Sequence, residues 1–393
     1  MELIIPTNWD DALITKVRGM PIKEFYGKFP SDYFGGGRPS SFFPSVKAKH
    51  IRHHIDIIHK CGYQFDYLLN ATCMDNVEFS RVGQHRMHKF IDQLVESGVD
   101  IVTVSIPYLV HWIKKNYPSL KIKASIMANI DTLYKAKQWQ SWGVDSMTLG
   151  LECNRDFPLL KSILENVKCD IALIANLGCI KSCALSQYHY LLISHASQSE
   201  HRINHFFINY CGFFCAYLRL VDPSRFISSG WIRPEDIVTY EKIGISYFKI
   251  IDRAFPTDKI VKIARAYVDK LHDGNLLDLI VAYREESSFT LEKFVRVSKC
   301  LVHPSKIRLS FLRKLFKLLV KNYVFINNRD LDGFLDSLRD KDCRLNDCDI
   351  CRHCHKIAEK VVKIDPEYKK NLEKSYKEIL EDLETGDAFR LGL

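Results

Sequence analysis

Apolar and polar positions follow two interleaved rhythms along the first 270 residues. Short runs rich in β-branched and aromatic residues recur, and between them lie segments whose apolar residues stand three or four apart. The short runs predict eight strands, at residues 3–5, 23–27, 65–70, 100–105, 121–127, 146–152, 170–176 and 245–251. The stretches "VKAKHIRHHIDIIHKCG", "RMHKFIDQLVESGV", "LYKAKQWQSWGV" and "FPLLKSILENV" predict amphipathic helices between them. Several helical patterns stop at a glycine before the next strand, namely Gly62, Gly98, Gly143 and Gly244. Eight strands alternating with helices predict an α/β chain closed as a (β/α)8, TIM-like barrel, although a doubly wound open sheet shares the alternation.

The rhythm breaks once. Between Asn176 and Ile245 run 68 residues, 177–244, far more than an ordinary strand-to-helix connection. Such connections gather at the C-terminal mouth of a barrel, so this insertion is expected on the working face. Beyond residue 270 the character changes. "KCLVHPSKIRLSFLRKLFKLLVKNY" is basic and amphipathic, and a cysteine-rich run and a charged helical tail at 366–384 follow. The expected organisation is therefore a barrel over 1–270 with the insertion 177–244, and a mostly helical appendage over 271–393.

Composition narrows the setting. No run of about 18 apolar residues occurs, so no membrane span is expected. "MELIIPTNWDDAL" has no basic leader region, which points to a cytoplasmic chain. A net charge of +9 permits an acidic partner or substrate without requiring nucleic acid.

Thirteen cysteines are many for a reducing compartment, where clustered thiols bind metal or do redox chemistry more often than they form disulfides. Four lie in the insertion as two Cys-x3-Cys pairs: Cys179 with Cys183, and Cys211 with Cys215. Four thiolates can hold a tetrahedral zinc ion or a [4Fe–4S] cluster. Leu177, Ile180, Leu185, Phe213 and Phe214 would form an apolar shell, which favours the cluster. Ala184, Leu185 and Ser186 follow Cys183, so the Cys-x3-Cys-x2-Cys triad of radical-SAM enzymes is absent.

The segment "KASIMANIDTLYKAKQWQSWGVDSMTLGLECNRDFPLLKSI" resembles the U32, or collagenase-like, peptidase family: Asn129, Gly143, Val144 and Glu152 fall at that family's strand–Asn–helix–Gly-Val–strand–Glu positions. "WIRPEDIVTYEKIGISYFKIIDRAFPTDKIVKIARAYVD" is similar to the family's last strand and helix, with Lys249 and Arg253 at the strand end. The resemblance covers residues 1–270. It implies a barrel with a [4Fe–4S] cluster on four cysteines, and in several members an oxygen-independent hydroxylation of a quinone precursor or of a base in RNA. Other members were named peptidases. The paired cysteines here depart from the pattern of the better-known members, so the resemblance alone does not fix the ligand set.

A second group, "CRLNDCDICRHCHK", spaces Cys343, Cys348, Cys351 and Cys354 as Cys-x4-Cys-x2-Cys-x2-Cys, with His353 and His355 among them. Such density points to metal, a second cluster ahead of zinc. Two clusters would form an electron path.

Candidate mouth residues follow from strand ends. Glu152 is placed as acid–base group, with Arg253 and Asn129 beside the reaction, and Arg38, Asn176 and Lys249 as substrate contacts. Arg38 follows three glycines in "YFGGGRPSSFFP" at 33–44, a stretch without the order of a P-loop or dinucleotide fingerprint. His189, His195, His201 and His205 lie in the insertion, where solvated histidines are common. Neither His-Glu-x2-His nor Gly-x-Ser-x-Gly occurs. The basic residues Lys306, Arg308, Arg313, Lys314, Lys317 and Lys321 suit a packed helix, RNA or an acidic partner. These features together predict an iron–sulfur enzyme or enzyme subunit performing oxygen-independent hydroxylation or related redox chemistry, with a protein partner or electron donor and a small aromatic or anionic substrate, or RNA. A U32-type peptidase and a non-catalytic iron–sulfur partner protein are the alternatives.

Overall fold

The eight predicted strands form and close on themselves. In the computed structural model, which describes residues 1–40, 43, 46–203, 205–281, 306–318, 324–338, 341, 343–344 and 346–390, strands β1 (Glu2–Pro6), β2 (Ile22–Gly27), β3 (Gln64–Leu69), β4 (Ile101–Val104), β5 (Lys121–Ala124), β6 (Ser146–Thr148), β7 (Asp170–Ile174) and β8 (Tyr247–Lys249) make a closed parallel barrel in chain order. β8 pairs with β1 through Lys249 opposite Ile4, which completes the ring. The chain is thus a (β/α)8 barrel, and the open-sheet alternative is excluded. Cys300 and Lys321 lie outside the described residues.

Helices cover the barrel where the spacing predicts them, including Ala48–Lys60, Arg81–Glu96, Leu133–Ser141 and Phe157–Asn166. Gly62 and Gly98 end two of them at φ 84° and 85°, a left-handed backbone that side chains with a Cβ disfavour.

Of the strands that stop sooner than the sequence suggests, β5 and β6 fall furthest short. β5 ends at Ala124 because the Ser125 hydroxyl accepts the Met127 N–H and starts a 3₁₀ turn. β6 ends at Thr148 because the Gly150 N–H leaves the ladder to donate to Ile130 O at 2.8 Å. Glu152 therefore sits in the 3₁₀ turn Leu151–Arg155 rather than on the strand.

The barrel interior is charged. Glu24 on β2 and Lys123 on β5 stand three strands apart and form an ion pair across the lumen, both buried. Lys123 Nζ also lies 3.5 Å from Asp66 Oδ2 on β3. The Thr103 hydroxyl donates to both oxygens of Asp66, at 2.8 and 2.7 Å. An apolar set of Ile4, Tyr26, Leu68 and Ala172 accompanies these groups, with Tyr247 and Ile251 packed against it.

The chain divides into two compact units. The first holds the barrel together with residues 186–205 and 231–272. The second joins 178–185 and 206–230 to 273–393. The long insertion is therefore shared between the two, and both Cys-x3-Cys pairs fall in the second. That unit contains the helices Tyr210–Val221, Leu309–Lys317, His353–Val361 and Pro366–Thr385, and a two-stranded antiparallel ribbon of Val324–Ile326 with Val362–Ile364. The basic helix Leu309–Lys317 buries Phe311 and spends much of its charge on helix Pro366–Thr385 and its end, with Lys314 on Asp382 at 2.7 Å and Arg308 on Asp387 at 3.1 Å. No described helix is long and apolar enough to cross a membrane.

Candidate functional site

At the barrel mouth the charged residues lie one to five positions past the strand ends. Lys28, next after β2, is buried and pairs with Asp32, also buried. Its ammonium further donates to Leu68 O at 3.0 Å. The Tyr67 hydroxyl donates to Asp32 Oδ2 at 2.7 Å, and the Gly35 N–H to Oδ1 at 2.7 Å. Past β8, Asp252 takes Arg38 Nε and Nη2 on one oxygen, each at 2.9 Å. Burial pushes Asp252 up, but Arg38, the Ala254 N–H and Arg253 outweigh it and hold the carboxyl below its ordinary range. Arg253, 6% exposed, donates to Lys28 O at 3.2 Å and lies 4.6 Å over the Phe43 ring. It forms no carboxylate ion pair among the described residues. A buried guanidinium left with a carbonyl and a ring suits an anionic ligand.

Lys249 points into the barrel, 3.9 Å over the Tyr26 ring. Burial lowers it to about 8, with Asp66 opposing and Arg253 assisting. Burial likewise lowers Lys28 to about 8 against the pull of Asp32, and pushes Asp66 up to about 6. These values set a pH dependence. Between pH 8 and 10 the folded lysines have shed protons that the unfolded chain still holds, so stability rises with pH, by about 1 kcal/mol per pH unit for each lysine. Above pH 10 the sign reverses, because buried Tyr67 and Tyr267 keep protons that the unfolded chain releases. Urea titrations at pH 8, 9 and 10 check this, and Lys249→Met should remove its share of the slope.

Two of the proposed substrate and catalytic residues make hydrogen bonds within the protein. The Asn176 side chain donates to Ile251 O and accepts the Ile251 N–H at 2.8 Å, lacing the ends of β7 and β8 together. Asn129 adopts φ 49° and donates to Asp131 at 3.3 Å, while its carbonyl accepts Lys135 Nζ at 3.1 Å. Arg38, Lys249 and Arg253 gather with Asp66 and Asp252 as one set of charges. Glu152 is half-buried in its 3₁₀ turn.

The sequence reading passes over Lys28, Asp32, Asp66 and Asp252 and treats His189 as a loop histidine. His189 lies on helix Ser186–Ser197, in the barrel unit. Burial, and then the charge of Arg38, lower its imidazole to about 4, so it is neutral and only weakly basic at physiological pH. Position could have revealed Lys28, since it directly follows a strand of the barrel.

The three glycines, Gly35 to Gly37, have their backbone N–H groups engaged within the barrel unit. Their N–H groups go to Asp32 Oδ1, Ser197 Oγ at 2.6 Å and Asn70 Oδ1 at 3.2 Å. A Cβ on Gly35, at φ 75°, would stand 2.8 Å from Ser194 O and 2.6 Å from Gln198 Cγ. Gly35→Ala should therefore cost about 1–3 kcal/mol in a urea melt, through overpacking and the left-handed backbone together.

In the second unit the two cysteine groups, far apart in sequence, come together. Cys211 is buried, and burial followed by the neighbouring Cys183 and Cys215 sulfurs pushes its thiol up to about 11. Buried Arg219 donates through Nη1 to Cys215 Sγ at 2.9 Å and through Nη2 to Gly178 O. Ser229 Oγ donates to the same carbonyl at 3.2 Å. Between Cys179 and Cys183, Lys181 reaches to Cys343 O and lies 3.7 Å from Cys348 Sγ. The loop carrying the first pair is thus tied to Cys215 on one side and to the second cysteine group on the other. No described residue from 341 to 357 is buried, and Ile350 is 83% exposed.

Comparison with known proteins adds a family. Residues 41–194 match the model for peptidase family U32. An uncharacterized protease of Methanocaldococcus jannaschii, MJ1657, is 28% identical over 342 residues, which cover 87% of this chain and 89% of that protein. Among solved structures, the U32 peptidase Mk0906 aligns at 18% identity with a TM-score of 0.48, covering 64% of this chain and 93% of that one.

Proposed function

We propose that this chain, which belongs to peptidase family U32, is an iron–sulfur-dependent enzyme that carries out an oxygen-independent hydroxylation or a related redox modification of an anionic substrate. The observation that carries the reading is the presence of eight cysteines in one compact unit, two of whose sulfurs face cations. The donor set fits. Cys179, Cys183, Cys211 and Cys215 would hold one [4Fe–4S] cluster, and Cys343, Cys348, Cys351 and Cys354 a second metal centre. A cluster supplies one-electron transfer. Arg219 and Lys181 offset thiolate charge at Cys215 and Cys348, the kind of contact that tunes a cluster's potential. In the barrel, Arg253 offers a buried cation to an anionic group, and the Arg38–Asp252 pair fixes the rim.

Peptide hydrolysis, the activity in the relatives' names, is the second reading. The match of residues 41–194 to the model for peptidase family U32 favours it.

The test is iron, acid-labile sulfide and zinc on protein purified without air, beside Cys179→Ala/Cys183→Ala and Cys348→Ala/Cys351→Ala. The expected result is about eight irons per chain, halved by each double variant. Zinc alone, or no metal, overturns the redox reading. Peptide-cleaving turnover that survives cluster loss would establish the second.

A further inference from the structure

A third donor set lies within the barrel unit, on the loop after β3 and on helix Ser186–Ser197 with the turn that follows it. Cys73 Sγ, an Asp75 carboxylate oxygen and a His195 ring nitrogen lie within 4.8 Å of one another. Asp75 Oδ1 is the shared point, 3.7 Å from Cys73 Sγ and 3.4 Å from His195 Nε2. His201 Nε2 contacts the other oxygen, Oδ2, at 2.7 Å, and its ring stacks on that of His195 with centroids 4.2 Å apart. We propose that Cys73, Asp75 and His195 bind a zinc ion, with His201 orienting the Asp75 carboxylate and water completing the coordination.

Three observations support the assignment. The separations match a tetrahedron: zinc bonds of about 2.1 Å to N and O, and about 2.3 Å to S, place ligand atoms about 3.4 to 3.6 Å apart. His195 Nε2 is buried and makes no hydrogen bond, an unsatisfied lone pair or proton that a metal would relieve. The donors are a thiol, a carboxylate and an imidazole, a mixture that suits zinc and disfavours magnesium or calcium. The segments are also held in place already, since Gln198 Nε2 donates to Cys73 O at 2.7 Å and the Thr72 N–H to Ser194 Oγ at 3.0 Å.

A second cluster, Asp11 with His50 and His54, shows the contrast. Both ring nitrogens of His54 are already engaged there, by Thr7 Oγ1 at 2.6 Å and Asp11 Oδ1 at 2.5 Å. Around Cys73, three protein donors beside an Asp75 that is 44% exposed leave room for water, the arrangement of an open rather than a closed zinc site.

Site-specific alkylation of the full chain, read by peptide mass spectrometry, separates Cys73 from every other thiol and so stays independent of metal in the cysteine-rich unit. Buffered zinc is expected to slow Cys73 alkylation about tenfold or more, reversibly with chelator, while Cys61 is unchanged. His195→Ala should abolish the protection, and His201→Gln should weaken zinc affinity by about 10–100-fold while leaving the first three donors in place. Equal Cys73 rates with and without zinc, or protection that persists in His195→Ala, overturns the site. Unchanged affinity in His201→Gln removes the orienting role.

Discussion

Asp32→Ala will cost the barrel about 3–5 kcal/mol of unfolding free energy, read as a shift in urea midpoint at unchanged slope. Asp32 is the buried counter-charge of Lys28, whose side chain is 2% exposed. It also accepts from Tyr67 Oη and from the Gly35 N–H. Its loss leaves an ammonium in a low-dielectric mouth with a carbonyl as remaining partner, besides stranding a hydroxyl and a backbone donor. Lys28→Met/Asp32→Asn should recover much of the loss, because the cation goes and an amide oxygen still serves Gly35. A loss under about 1 kcal/mol for Asp32→Ala would mean that the pair behaves like an exposed one and is solvated.

The same pair shows what the sequence could and could not disclose. The eight strands were legible because a barrel strand is a short β-branched run with a helix after it, a pattern local to some thirty residues. Which polar residues face the lumen was not. Alternation along β2 and β5 gives Glu24 and Lys123 a common side with their neighbours, but a period of two cannot say whether that side is water or the inside of a closed sheet. Their pairing appears only once β2 and β5 face one another across the ring.

The candidate site divides along the same line. Arg38, Lys249 and Arg253 are found from strand-end position, whereas their partners Asp252 and Asp66 emerge from three-dimensional contact. Each cysteine group was legible by its spacing. That Lys181, lying between two cysteines of the first group, reaches Cys343 and Cys348 of the second is a contact across more than 160 residues, and no local pattern encodes it. His189 is half-buried on a helix that shows only a weak amphipathic pattern in sequence, so nothing local distinguishes it from a solvated loop histidine.

Metal removal should act on one unit and spare the other. Under reducing conditions, a chelator is expected to raise amide exchange in the helix His353–Val361 by about a hundredfold or more, since binding free energy in such sites is folding free energy. Amides of β2, β3 and β4 should exchange at unchanged rates. The asymmetry follows from what each part buries. The strands carry fully buried Phe25, Phe65, Tyr67 and Val102, with parallel ladders on both sides. From 341 to 357, by contrast, no described side chain is buried, and the first to be so is Ala358. The segment is anchored through polar contacts, among them Lys181 on Cys343 O, Ser337 with His353 at 2.9 Å, and His355 3.7 Å from Asp222. Contacts of that kind are worth about 1 kcal/mol each when solvent reaches them, too little to order a four-residue helix such as Cys348–Cys351. On the proposed reading, thiolate–metal bonds at Cys343, Cys348, Cys351 and Cys354 would supply what the apolar core does not. Exchange that is the same with and without chelator would show that polar contacts suffice, and the second cysteine group would then need another explanation than metal.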